Sequence, residues 1–505
     1  MRRAILAIDQ GTTGSTCLVI DESAQVISRA YSEFTQHYPQ PGWVEHDPAE
    51  IWDVTLVVAR DAVAKAKAEH ADTEIAAIGI TNQRETVVVW DRATGQPIHR
   101  AIVWQDRRTA EVCRSLKAAG KEEWVRARTG LVLDPYFSAT KIAWILDNVP
   151  AARSRAQNGE LAAGTIDCWL VWKLTGGRVH ATDPTNASRT LLYNIDTLSW
   201  DEELCALFGV PCAMLPEVKP SSGVFGETSA DLFGAAIPVA GIAGDQQAAL
   251  FGQGCCGEGQ SKNTYGTGAF LLLNTGKKRV ASRHGLLTTV GCGPKGEPRY
   301  ALEGSIFIAG AAVQWLRDEL KIISNAAETE ELARSTDGNH GVYFVPAFVG
   351  LGAPHWDPEA RGTIVGLTRG STRAHLARAA LESMAYSTSD VLTAMAADSG
   401  LKTSELAVDG GATANNWLMQ FQADILDIPV VRPKLLESTA FGAAGLAGIG
   451  VGVWQDDNQF LAAREDPERF DPSMSRDERE RLIKGWRRAV HAAIQWARAT
   501  HATLL

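Results

Sequence analysis

AILAIDQGTTGSTCLVI, residues 4–20, is an apolar run ending at an acid, a turn built from Gly11, Thr12, Thr13 and Gly14, and a second apolar run. The pattern predicts two strands, residues 4–8 and 17–20, joined as a hairpin. Gly11 and Gly14 permit tight backbone conformations, so the turn can offer N–H groups and the Thr12, Thr13 and Ser15 hydroxyls to an anion such as phosphate. Asp9, at the end of the first strand, is placed to hold a magnesium ion through water. A plain structural hairpin satisfies the same pattern, and the stretch alone leaves both open.

The arrangement returns at residues 262–273, KNTYGTGAFLLL, where Gly266, Thr267 and Gly268 replace the first turn. One unit in each half of the chain predicts a duplicated α/β fold, two related lobes facing one another. Between the copies lies VAGIAGDQQAALFG, residues 239–252, an apolar run that delivers Asp245, Gln246 and Gln247 into a short helical run. In α/β architectures ligands gather beyond the carboxyl ends of strands. Asp245 is therefore either an N-cap for its helix or a group in reach of chemistry.

Composition bounds the answer from outside. A chain of 505 residues exceeds one ordinary core, so two or more domains are expected. The net charge of -10 argues against a general nucleic-acid or membrane surface and for a small ligand, with any phosphate held locally. The eight cysteines are scattered, without a C-x-x-C pair or metal-ligand spacing, which fits a reducing cytoplasm. Asp9 interrupts the apolar run after Arg2 and Arg3 too early for a signal peptide or a membrane span.

Strand ends elsewhere carry polar groups. Residues 76–81 read as a strand leading to Asn82, Gln83, Arg84 and Glu85, with 86–90 as its partner; residues 101–104 read as a third strand ending at Trp104. Arg84 beside Glu85 sets a donor fork next to an acceptor, which suits a polyhydroxy ligand, and Trp104 can cover a carbon skeleton. An exposed charge pair of little value is the competing reading. Tyr136, after Pro135 at a turn, faces either a cleft or a core. A third turn, Asp409, Gly410 and Gly411 through Asn415, precedes a helix whose N-terminus suits a nucleotide; Gly310 heads another helix carrying Gln314. GQGCCG, residues 252–257, matches a dinucleotide fingerprint but follows a helical run and lacks the later acid, and no P-loop is present.

Taken together, DQGTT (9–13), PQPGWVEHDP (39–48), NQRET (82–86), TDPTNASRT (182–190), NTYGTG (263–268), AFVGLGAPHWD (347–357) and the 241–251 and 409–416 segments resemble the FGGY carbohydrate kinases of the actin-like ATPase superfamily, most closely the branch acting on glycerol. The resemblance implies two ribonuclease-H-like lobes, residues 1–251 and 252–505, with a nucleotide cleft between them. It implies ATP-dependent phosphorylation of glycerol to sn-glycerol 3-phosphate with magnesium. Glycerol would lie against Arg84, Glu85, Trp104, Tyr136, Asp245, Gln246 and Phe270, and nucleotide against Thr12, Thr13, Gly14, Thr267, Gly310, Gln314, Gly411 and Asn415. Asp245 would be the general base, and Asp9 and Asp245 the metal ligands. A cytoplasmic homodimer or homotetramer is implied as well.

Two departures limit the transfer. Thr16 stands where many glycerol-acting members have an arginine directed at the nucleotide phosphates. Segment 231–237, DLFGAAI, has no cation where members inhibited by fructose bisphosphate carry an arginine-containing loop, so insensitivity is expected. The competing functions are another FGGY kinase, acting on erythritol, threitol or a ketose, and a non-kinase actin-like ATPase.

Overall fold

A computed structural model describes residues 2–502. Its first sheet grows around the strand Arg2–Gln10, whose residues from Ala4 to Ile8 are at most 1% exposed, as a central strand covered on both faces requires. The strand pairs antiparallel with Gly14–Asp21, which pairs antiparallel with Val26–Glu33. On its other side it pairs parallel with Thr73–Asn82, and that strand parallel with Pro238–Gly244. The turn is closed by Gly11 N–H donating to the Gly14 carbonyl at 2.9 Å.

The second sheet repeats this plan. Ser261–Tyr265 is its pivot, antiparallel to Ala269–Gly276, which is antiparallel to Pro298–Ile306; on the other flank lie Leu406–Asp409 and then Val430–Arg432, both parallel. Its turn closes in the same way, Gly266 N–H to the Gly268 carbonyl at 2.8 Å. The expected duplication of strand, Gly/Thr turn and strand is thus present at the level of sheet topology, and the chain has the two-lobe actin-like ATPase fold. Each core sheet sends three strands with parallel neighbours toward the cleft, and their carboxyl ends carry Asp9, Asn82 and Gly244 in one lobe and Tyr265, Asp409 and Arg432 in the other.

Two helices fill the space between the sheets. Asp245–Gly252 follows the last parallel strand of the first lobe, and Ser438–Gly450 comes from the second half of the chain. Their backbones approach so closely that a Cβ on Gly442 would collide with the Ala248 carbonyl. Ala440, Ala444 and Ala447 of the later helix share a core with Ile5, Ala7, Leu18 and Ile20, so residues from the second half cover one face of the first sheet. The other face is covered by the helix Pro48–Glu69 through Ile51, Val58, Ala59 and Ala62.

Two expected strands behave differently. Residues 86–90 were expected to pair with 76–81, but Val87–Asp91 joins a separate four-stranded sheet with Glu45–His46, Ala101–Ile102 and Leu161–Thr165. The cause lies at Glu85, which adopts a left-handed backbone (φ 62°), while Thr86 N–H turns back onto the Arg84 carbonyl at 2.8 Å. The chain is turned out of the first sheet there. The strand expected at 101–104 ends at Ile102, because the N–H of Val44, the residue opposite Val103, donates to the Asp106 carboxylate at 2.7 Å instead of continuing the ladder. Trp104 is released from the ladder as a result.

Candidate active site

The carboxyl ends of Thr73–Asn82 and Pro238–Gly244 place Arg84 and Asp245 side by side, with Arg84 Nε 3.0 Å from an Asp245 carboxylate oxygen. Asp245 does not serve as the N-cap residue of its helix. Gly244 occupies that position, and Asp245 stands at the first helical residue, accepting from Gln246 N–H at 2.7 Å. Its side chain is a third exposed, whereas Arg84 and Glu85 are 3% and 1% exposed, which removes the surface-pair reading of those two.

Glu85 is not the principal partner of Arg84. Arg84 forks onto Glu303 of the second lobe at 2.6 and 3.3 Å and also donates to Gln247 Oε1 at 3.2 Å. Arg189 donates to Glu85 at 2.6 Å and to Glu303 at 2.9 Å. Two guanidiniums and two carboxylates therefore form one buried, charge-balanced network across the lobes, a form in which such groups tolerate burial. Burial would raise the Glu303 carboxyl, but Arg189 and Arg84 outweigh it and hold it at about 2. For Glu85 burial prevails over the same arginines, and its carboxyl lies above the ordinary range.

Two aromatic rings stand near this cluster, beside the first turn. The Trp104 and Tyr136 rings meet edge to face with centroids 5.6 Å apart, and Trp104 Nε1 donates to Thr12 Oγ1 at 3.0 Å. That bond ties the Gly/Thr hairpin to the aromatic pair. Tyr136 is held from behind by Lys141, whose fully buried ammonium donates to the carbonyls of Pro135, Tyr136 and Phe137 at 3.0, 2.5 and 2.9 Å. Burial lowers the Lys141 amine to about 7. Phe270 lies on the second sheet opposite Thr264, partly exposed.

The hairpin groups gather at the ends of the two pivot strands. Thr12, Thr13 and Gly14 form the first turn, with Thr13 exposed. Thr267 and Gly310 meet in the second lobe, where Gly310 N–H donates to the Gly266 carbonyl at 3.0 Å and Ala311 N–H to Thr267 at 3.1 Å. Gln314 lies exposed on the following turn of the helix Gly310–Asp318. Gly410, at φ 90°, packs against Tyr265 so closely that a Cβ would strike the Tyr265 carbonyl, and this brings the turn containing Gly411 to the same edge. Asn415 caps the helix Asn416–Leu426 by accepting from Leu418 N–H at 2.9 Å.

Asp9 supplies an acid on the first-lobe side of the cleft. Burial, together with the facing carboxylates of Asp245 and Glu437, raises it to about 7. Carboxylates crowded in this way favour a cation, and hard oxygen donors suit magnesium. Among the described residues no cluster of three or more metal-ligating side chains occurs, and Asp9 and Asp245 are the two side chains that could hold the ion. Magnesium commonly binds with few protein ligands, the rest being water and substrate phosphates.

Sequence reasoning passed over Glu303, Lys262, Lys141 and Arg189. Each is a charged residue at 0% exposure. Glu303 follows the apolar Ala301 and Leu302, Lys262 lies in the largely polar strand SKNTY, and Arg189 lies within TDPTNASRT, so each charge was visible without a partner to interpret it.

Residues 4–252 and 261–451 match the N-terminal and C-terminal domains of the FGGY family of carbohydrate kinases. The chain is 61% identical over 496 residues to a glycerol kinase of Carboxydothermus hydrogenoformans, covering 98% of this chain and 99% of that one. It is 59% identical over 496 residues to the glycerol kinase of Petrotoga mobilis, with the same coverage. A crystal structure of Plasmodium falciparum glycerol kinase with ADP superposes with a TM-score of 0.93 at 38% identity, over 97% of this chain and 98% of that chain. The topology, the paired turns and these similarities agree: the chain belongs to the FGGY family of carbohydrate kinases.

Proposed function

We propose that this protein transfers the γ-phosphoryl group of ATP to a terminal hydroxyl of glycerol, giving sn-glycerol 3-phosphate. The observation that carries the reading is Asp245, partly exposed at the head of its helix and 3.0 Å from a buried arginine that is locked to the second lobe through Glu303. Close relatives named glycerol kinase support the choice of polyol.

In this reading Arg84, Glu85 and Gln246 hydrogen-bond the substrate hydroxyls, and Trp104, Tyr136 and Phe270 enclose its carbons. Asp245 takes the proton of the attacking hydroxyl. A carboxylate is a weak base toward an alcohol, so the transfer comes late in a loose transition state, and alignment with charge stabilisation supplies most of the acceleration. Thr12, Thr13 and Gly14 from one lobe, and Thr267, Gly310, Gln314, Gly411 and Asn415 from the other, hold the nucleotide. Asp9 and Asp245 would hold magnesium, which neutralises phosphate charge when bound. Closing the lobes keeps water from the phosphoryl group.

The lobes divide at residues 251 and 252. The cytoplasm is the proposed location, supported by eight free cysteines, and no helix among the described residues is long and apolar enough to cross a membrane. A homodimer or homotetramer is proposed, to be checked by light scattering. Insensitivity to fructose bisphosphate is also proposed. The nearby Arg60 guanidinium is already engaged by the Leu232 and Asp231 carbonyls at 2.8 and 3.3 Å, and segment 231–237 itself has no cation.

The test is ATP consumption against a panel of glycerol, erythritol, threitol and ketoses. Glycerol should give the highest kcat/KM. Preference for another polyol overturns the substrate, and polyol-independent ATP turnover overturns the kinase reading.

A further inference from the structure

The face of the second sheet that meets the catalytic helix carries a row of paired residues. Lys262 is paired with Leu272 in one neighbouring strand, and Leu272 with Glu303 in the next. Directly paired residues project from the same face, so a cation and an anion flank one leucine. Both charged groups are at 0% exposure, and both reach the first lobe. Glu303 receives Arg84, while Lys262 donates to the side-chain oxygen of Gln246 and to Thr264 Oγ1, the latter at 2.6 Å.

Lys262 has no carboxylate within ion-pair distance among the described residues, although Asp409 and Asp245 act on it from farther away. A buried ammonium without a direct counter-charge is expensive, and a methionine of similar length would fill the space without that cost. Its chemistry explains what it does there. An ammonium has donors only, so the Gln246 amide must turn its oxygen toward Lys262 and its NH₂ away. The orientation of this amide follows from the lysine, and no protein acceptor among the described residues takes the Gln246 Nε2 hydrogens.

We propose that Lys262 is a positioning residue for polyol binding: it locks Gln246 with its NH₂ group presented to the pocket as a donor to a substrate hydroxyl oxygen. The second lobe thereby sets two first-lobe recognition groups, Arg84 through Glu303 and Gln246 through Lys262, so polyol recognition is complete only when the lobes are in register. This rests on the glycerol-phosphorylating reading above.

The experiment measures glycerol and ATP kinetics and thermal melting for Lys262→Met, Gln246→Ala, their double variant and Gln246→Glu. Lys262→Met should raise the glycerol KM about 3- to 10-fold, the range of a neutral hydrogen bond, with the ATP KM within about twofold. The double variant should lose no more than Gln246→Ala alone, because the lysine acts through that amide. Gln246→Glu gives the lysine a counter-charge and keeps the side-chain length but removes the donor. It should melt no lower than wild type and lose glycerol affinity to a similar degree, and it tests the idea even if Lys262→Met folds poorly. An unchanged glycerol KM in Gln246→Glu, or additive losses in the double variant, overturns the proposal. Wild-type protein inactive on glycerol overturns the functional reading instead.

Discussion

Replacing Glu303 by glutamine keeps the volume and removes one charge from the buried network. Arg84 and Arg189 would then share Glu85 and the partly exposed Asp245, and the glutamine NH₂ would face the guanidinium donors that a Glu303 carboxylate oxygen now accepts. Glu303 is held at about 2 against an ordinary 4.5. At about 1.4 kcal/mol for each tenfold in proton affinity, its ionised form contributes about 3 kcal/mol to folding. That agrees with the roughly 3–5 kcal/mol lost when one partner of a buried pair is removed. Because the folded pKa is depressed, this contribution is complete above about 4.5 and is lost as the pH falls through about 2. In urea, with an m-value of about 3 kcal/mol/M, the variant midpoint at pH 7 should fall by about 1 M. Tryptophan fluorescence follows the unfolding, and the gap from wild type should narrow below pH 4.5. Glycerol affinity, measured by calorimetry, should fall in the same variant, since Arg84 loses its anchor. A midpoint within about 0.3 M of wild type, with unchanged glycerol affinity, would refute the view that this network is a single charge-balanced unit.

Three further expectations address separate parts of the cleft. Asp245→Asn should lower kcat by about 10²–10⁴ while the protein still binds glycerol, as steady-state rates and calorimetry will tell; near-normal turnover removes it as the base. Lys141→Met leaves the Pro135, Tyr136 and Phe137 carbonyls without their shared donor, at a cost of about 1–3 kcal/mol, and should raise the glycerol KM while sparing the ATP KM. Thr16 is paired with Asp9 in strand register beside the first turn, and Thr16→Arg should lower the ATP KM through a charged contact with phosphate. An ATP KM that does not move removes the significance given to that threonine.

The two pivot hairpins were legible because their signal is local: Gly and Thr at matching offsets in the turn, followed by an apolar run, with an apolar run and an acid before the first turn. The same holds for Asp245 at a strand-to-helix junction and for the helix headed by Gly310. The strand at 87–91 was misassigned to a hairpin because nothing in its alternation distinguishes a neighbouring strand in one sheet from a strand in another. The left-handed turn at Glu85 decides that, and an Arg-Glu dipeptide carries no glycine to announce it. The buried lysines were invisible for a related reason. A lysine in a helix, as at 141, or in a polar strand, as at 262, reads as a solvated charge until its burial and its acceptors are known.

The duplicated plan, its phosphate-competent turns and the polar residues at strand ends can therefore be read from residues alone, because all are written in short-range periodicity and turn chemistry. Tertiary structure alone decided which of those residues work together. Arg84 meets Glu303 across 219 positions, Trp104 meets Thr12 across 92, and the helix at 438–450 crosses from the second half of the chain to cover the first sheet. These pairings follow from burial, which leaves apolar faces, ring N–H donors and charges to be satisfied by whatever the fold brings beside them, however distant in the chain.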